Sequence, residues 1–135
     1  MAIFGKLGRY SHTGLLLIRL VLGAMMLTHG FKKLAGGSAA WEKLGGAMGH
    51  FGIHAYPTFW GFMATFAESV CALLVILGLW FRPAAILITF TMIVATTVHL
   101  KKGDAIGDME LAIIYTFCYM GLILVGPGKY SVDKG

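Results

Sequence analysis

Four apolar runs constrain what this chain can fold into. The first, residues 15–34 (LLLIRLVLGAMMLTHGFKKL), is long enough to cross a hydrocarbon core of about 30 Å as an α-helix rising roughly 1.5 Å per residue. Three more follow at approximately 59–79, 84–100 and 109–125, separated by short polar or glycine-rich connections. With 58% of its residues hydrophobic and 13% charged, the chain lacks the polar surface of a soluble domain, in which about a quarter of residues are charged. The sequence therefore predicts an all-α membrane protein: one domain over residues 1–135, folded as a bundle of four transmembrane helices whose outer surface meets lipid.

The formal net charge of +5 comes from basic residues at the ends of the apolar runs, where anionic head groups lie. No basic stripe with interleaved surface aromatics is present, so nucleic acid is not expected as a partner and the lipid bilayer is. Cys71 and Cys118 fall singly in predicted spans, without the spacing of a disulfide framework or a thiolate metal site, and are expected to act as small buried apolar residues. Residues 1–14 offer Ile3, Phe4, Leu7 and Tyr10 for head-group contact. The apolar run behind Lys6 and Arg9 exceeds the roughly 7–15 residues of a signal-peptide core, so it is expected to be retained as the first span.

Between the first two spans the chain carries Gly36, Gly37, Gly45, Gly46 and Gly49, which predicts a loop broken by short helical pieces capping the bundle. Trp41, Leu44, Met48 and Phe51 are expected on the membrane-facing side of such a piece. An even number of spans puts both termini on one side. Lys6, Arg9, Arg82, Lys129 and Lys134 on the terminal face balance Lys32, Lys33, Lys43, Lys101 and Lys102 on the other, so basic residues do not set the orientation; a cytoplasmic location of the termini is preferred.

Ionisable residues inside the spans are the functional candidates, because each needs a partner, water or the interface. On the first helix, Arg19, Gly23, Met26 and Gly30 share one face, while Met25, His29 and Lys32 share its neighbour. The two glycines leave room for another helix to approach. Glu68 falls about 13 Å into the second span, near mid-bilayer, where its carboxyl should face the bundle interior, be protonated, or both. Pro83 suits the first turn of the third helix, and the hydroxyls of Thr89, Thr91, Thr96 and Thr97 are expected to bond back to helix carbonyls. His99 marks the exit of that helix; Asp108 is placed to cap the fourth, with Glu110 in its first turn.

Topology gathers His29, Lys32, His99 and Glu110 at the face opposite the termini, with Glu68 reaching in from it and Arg19 near the other face. Such a cluster can bind a quinone, with a lysine, histidine or hydroxyl donating to a carbonyl and a carboxylate handling a proton; equally, it can hold the helices together. A metal is not indicated, because His29, His99 and Glu110 come from different helices without a recognised ligand spacing. Neither a haem-attachment motif nor a dinucleotide or phosphate-loop fingerprint occurs.

Arg19-Leu20, the run from His29 through Gly30, Phe31, Lys32 and Lys33 to Leu34, Glu68, the stretch 78–82 (GLWFR), His99, Glu110 and 126–133 (GPGKYSVD) together resemble the DoxX family. The resemblance implies a small four-helix protein of the bacterial or archaeal cytoplasmic membrane. It further implies a place beside thiosulfate:quinone oxidoreductase, a terminal quinol oxidase, or a membrane complex with superoxide dismutase and a sulfurtransferase. On this reading the chain is a redox-associated subunit that binds quinone or organises a quinone-reactive respiratory or sulfur-oxidising complex. Any activity belongs to a subunit of a quinone-dependent oxidoreductase, since no cofactor motif is evident and a bound quinone is the one ligand expected. Glu68 and His29 are the expected catalytic residues, and Lys32, His99, Glu110 and Arg19 the expected substrate-binding residues. A scaffold subunit of a larger membrane complex and a small-solute transporter formed by oligomerisation are the alternatives.

Overall fold

The structure, a computed structural model, describes residues 2–133; Lys134 of the terminal-face set lies outside the described residues. After a short helical lead-in, Ala2–Gly5 and Lys6–Tyr10, the chain forms α1 (Ser11–Ala35), α2 (Gly37–Gly45), a tight turn Gly46–Phe51, α3 (Pro57–Leu77), α4 (Phe81–Lys102) and α5 (Ile106–Val125). Segments Ile3–Ala35, Pro57–Leu77, Phe81–Lys102 and Ile106–Val125 are long and apolar enough to cross a membrane. The all-α, four-span architecture is the one the hydropathy pattern predicts.

The buried residues of α1 are Arg19, Gly23, Met26 and Gly30, the face identified from helical spacing. A side chain at Gly23 would collide with Ile76 and approach the Ala72 carbonyl oxygen to 3.1 Å. One at Gly30 would run into the Glu68 backbone and reach the Ser69 nitrogen at 2.6 Å. Both glycines let α1 lie against the backbone of α3. Around this contact Met26, Cys71, Ala72, Val75, Phe81, Ile88, Tyr115, Tyr119 and Leu122 form the core. Leu17, Ile18, Ile86, Phe90, Phe117 and Leu124 stay exposed on the side that lipid covers.

The glycine-rich connection is more ordered than its composition implies. Gly37, at φ 70°, breaks the helix, and α2 then continues in the direction of α1. It packs antiparallel on α3: a Cβ at Gly61 would strike the Trp41 backbone, and one at Gly45 would strike Pro57. Trp41 packs on α3, its half-buried ring meeting the exposed Phe62 edge-on at 5.3 Å.

At the terminal face, α3 ends at Gly78 (φ 69°) and α4 begins after Trp80 (φ 48°). The tail folds back on this turn: Val132 N–H donates to Leu77 O (3.2 Å) and Asp133 N–H to Gly78 O (2.9 Å). The Asp133 carboxylate accepts from Trp80 N–H (3.1 Å) and Phe81 N–H (2.9 Å), capping α4 from a distant part of the chain. Pro83 thus lies within the first turn. At α5 no side chain caps the start; the helix begins at Ile106, before Asp108, which instead places its charge in the first turn. Lys129 N–H donates to His12 Nδ1 (3.1 Å), tying the two terminal segments together on one side. Cys118 is exposed on α5, whereas Cys71 is buried, so only one cysteine behaves as the core residue expected of both.

Candidate functional site

Glu68 lies near the middle of α3, in a stretch, Ala67–Cys71, wound more widely than an α-helix. Such π turns interrupt the regular ladder and often accompany functional sites. Within and beside it, Ser69 Oγ donates to Thr65 O (2.6 Å) and Thr65 Oγ1 to Gly61 O (2.9 Å), so the hydroxyls satisfy backbone carbonyls. Glu68 is buried, and its Oε2 accepts a hydrogen bond from Lys33 Nζ in an ion pair across the α1–α3 contact. The Lys33 side chain remains 33% exposed against 4% for that of Glu68, so the pair opens on the lysine side.

The geometry follows from close packing. Because Gly30 sits on the Glu68 backbone, the residue one turn further along α1 is the one that reaches the carboxylate. That residue is Lys33, not Lys32. Lys33 also extends the stripe Arg19, Gly23, Met26, Gly30 by another three residues, a signal legible in the sequence, whereas Lys32 is rotated by about 100° and points outward. Trp41 Nε1–H donates to Lys33 O (3.0 Å), supplying a partner for a carbonyl at the end of α1. The break between α1 and α2, the wide turn of α3 and the buried ion pair come together at one place.

The other candidates divide. His29 packs edge-on against Tyr115 with ring centroids 6.3 Å apart, and Tyr115 lies 6.1 Å from the ring of Tyr119. Tyr119 donates its hydroxyl to Leu22 O (2.9 Å). His99 Nδ1 pairs with Asp104 Oδ2 at 2.8 Å where α4 ends. Lys32 and Glu110 are exposed and do not join the cluster. Among the described residues, no three His, Cys, Asp or Glu side chains converge on one point.

Arg19 stands apart, buried at 1% exposure. Its Nε–H donates to Val75 O (3.1 Å), Nη1 to Pro127 O (3.1 Å) and Tyr130 O (2.8 Å), and Nη2 to Ile76 O (2.7 Å), with the Phe81 ring centroid 5.8 Å from the guanidinium carbon. These bonds satisfy carbonyls at the end of α3 and in the folded tail. Two apolar grooves flank α4: about 210 Å³ beside α5, lined in part by Ile93, Thr96 and Phe117, and about 360 Å³ beside α3, lined in part by Met63, Ala67 and Phe90.

The family model for DoxX matches residues 14–100, most of the chain, taking in Arg19, His29, Lys33, Glu68 and His99 and leaving Glu110 and the folded tail beyond its end. No curated protein and no solved structure matches. A family match over that share of the chain, on a bundle of membrane-length helices, makes this chain a member of the DoxX family of small membrane proteins.

Proposed function

We propose that this DoxX protein is a redox-associated integral membrane subunit that binds quinone or organises a quinone-reactive respiratory or sulfur-oxidising complex, with the Lys33–Glu68 pair as its working centre. The observation that carries the reading is a carboxylate buried in the middle of a membrane span, on a π turn, and paired with a lysine that is still partly open. Ionisable groups at that depth are expensive to keep and are concentrated at sites that move protons or hold polar ligands. The residues fit a quinone chemically: Lys33 can donate to a carbonyl, Glu68 can accept or release a proton, and apolar surface on α3 can take a ring and tail. On this reading His29, one turn before Lys33 on α1 and packed edge-on against Tyr115, lines the side of the site next to the pair. The electrons come from a partner protein in the same bacterial or archaeal cytoplasmic membrane. Lys32, His99 and Glu110 lie at the face through which ligand or partner approaches, and Arg19 holds the tail.

Purification in mild detergent without stripping lipid, followed by mass spectrometry of co-purifying quinones and proteins, tests this reading. Glu68→Gln and His29→Ala are expected to lower quinone occupancy while helicity is retained; unchanged occupancy in both sinks the pocket. A scaffold role is the second reading, favoured by the absence of any buried, unpartnered side-chain nitrogen or oxygen among the described residues. Recovery of a stoichiometric complex carrying no quinone supports it.

A further inference from the structure

The groove between α3 and α4 has a composition and an outlet that select a different ligand, independent of the quinone reading. Its walls include Met48, Trp60, Met63, Ala67, Phe90 and Val94, and its volume is about 360 Å³, within the usual range of small-molecule sites. The polar atoms available in the lining are turned away: Thr91 Oγ1 donates to Leu87 O (2.9 Å) and Trp60 Nε1 to Ala55 O (3.1 Å). What remains is hydrocarbon surface, suited to a chain and not to a group needing hydrogen bonds.

The outlet is cationic. Lys101 follows Val94 by two turns on the same face of α4, roughly 10 Å toward the face opposite the termini. Its ammonium is held by the His50 carbonyl and lies 5.2 Å from the Phe51 ring centroid, in the turn that also contributes Met48 to the groove. Lys102 is beside it and exposed, and the nearest acid on that connection, Asp104, is paired with His99. Positive charge at the end of an apolar slot, on residues about 10 Å along the helix from Val94, suits an anionic head group lying above its acyl chain.

We propose that this groove is a binding site for an anionic phospholipid, its acyl chain lying between α3 and α4 and its phosphate at Lys101 and Lys102. Two lysines at a head group favour an anionic over a zwitterionic lipid by roughly tenfold or more. The test uses the full-length protein in mild detergent, offered equimolar phosphatidylglycerol and phosphatidylcholine of identical chains, with retained lipid read by native mass spectrometry. The expected result is one retained phosphatidylglycerol at about tenfold preference, reduced to near parity by Lys101→Gln with Lys102→Gln and unchanged by Lys6→Gln with Arg9→Gln on the other face. Ala64→Phe, which fills the groove, should remove retention of both lipids; should that variant not fold, the lysine variants decide alone. Equal retention by the wild type, or a preference that survives loss of both lysines, overturns the proposal. Quinone occupancy, measured in the same spectra, is expected to be unaffected by the lysine variants, so this site and the Lys33–Glu68 centre succeed or fail separately.

Discussion

Arg19→Met removes a cation that four backbone carbonyls share. Of these, Val75 O keeps a second partner, Gly78 N–H at 3.2 Å, while Ile76 O, Pro127 O and Tyr130 O lose the arginine bond. An orphaned buried acceptor costs about 1–3 kcal/mol, which sets an upper range near 9 kcal/mol. Water reaches the tail at exposed Tyr130, and removing a buried guanidinium also relieves its desolvation, so the expected net loss is about 3–5 kcal/mol. Arg19→Lys should recover only part of this, because an ammonium cannot reproduce the planar fork that addresses α3 and the tail together. Unfolding in mixed micelles titrated with a denaturing detergent measures the loss. Hydrogen exchange at Val132 and Asp133, whose amides bond to Leu77 and Gly78, reports whether the tail detaches. If Arg19→Met unfolds within about 1 kcal/mol of wild type and leaves those amides protected, the arginine does not hold the tail and the reasoning fails.

Lys33→Met should destabilise the bundle by about 3 kcal/mol by leaving Glu68 buried and unpaired, whereas Lys32→Met, one residue away and exposed, should stay within about 0.5 kcal/mol. Adding Glu68→Leu to Lys33→Met should restore much of the loss, and a double-mutant cycle on the same unfolding assay checks the coupling. Gly30→Ala forces a methyl group against the Glu68 backbone and is expected to lose about 1–3 kcal/mol, while Gly121→Ala, facing open space on α5, should be neutral or mildly stabilising. Equal effects of the two alanines would show that α1 does not pack on the π turn.

The four membrane-length helices were legible in the sequence because they depend on hydropathy summed over a helix length, a local property. The buried face of α1 was legible for a related reason: Arg19, Gly23, Met26 and Gly30 stand out as a polar residue and small residues at helical spacing in an apolar run. The back-bonded hydroxyls of Thr89, Thr91, Thr96 and Thr97 needed only the helix itself.

Long-range contacts decided the rest. Lys33 continues the buried stripe of α1 and Lys32 does not, but that Glu68 is the group it meets follows from the docking of Gly30 on the Glu68 backbone. A glycine-rich connection became helix α2 because Gly45 and Gly61 allow close antiparallel packing on α3. The cap of α4 comes from Asp133 and carbonyls in the last turn of α3 are satisfied by Arg19, neither of them near its target in the chain. The sequence by itself determined that four helices would cross a membrane with buried charges among them. Which charges meet was set by helix rotation, where a step of one residue turns a side chain by about 100° and moves it between the interior and lipid.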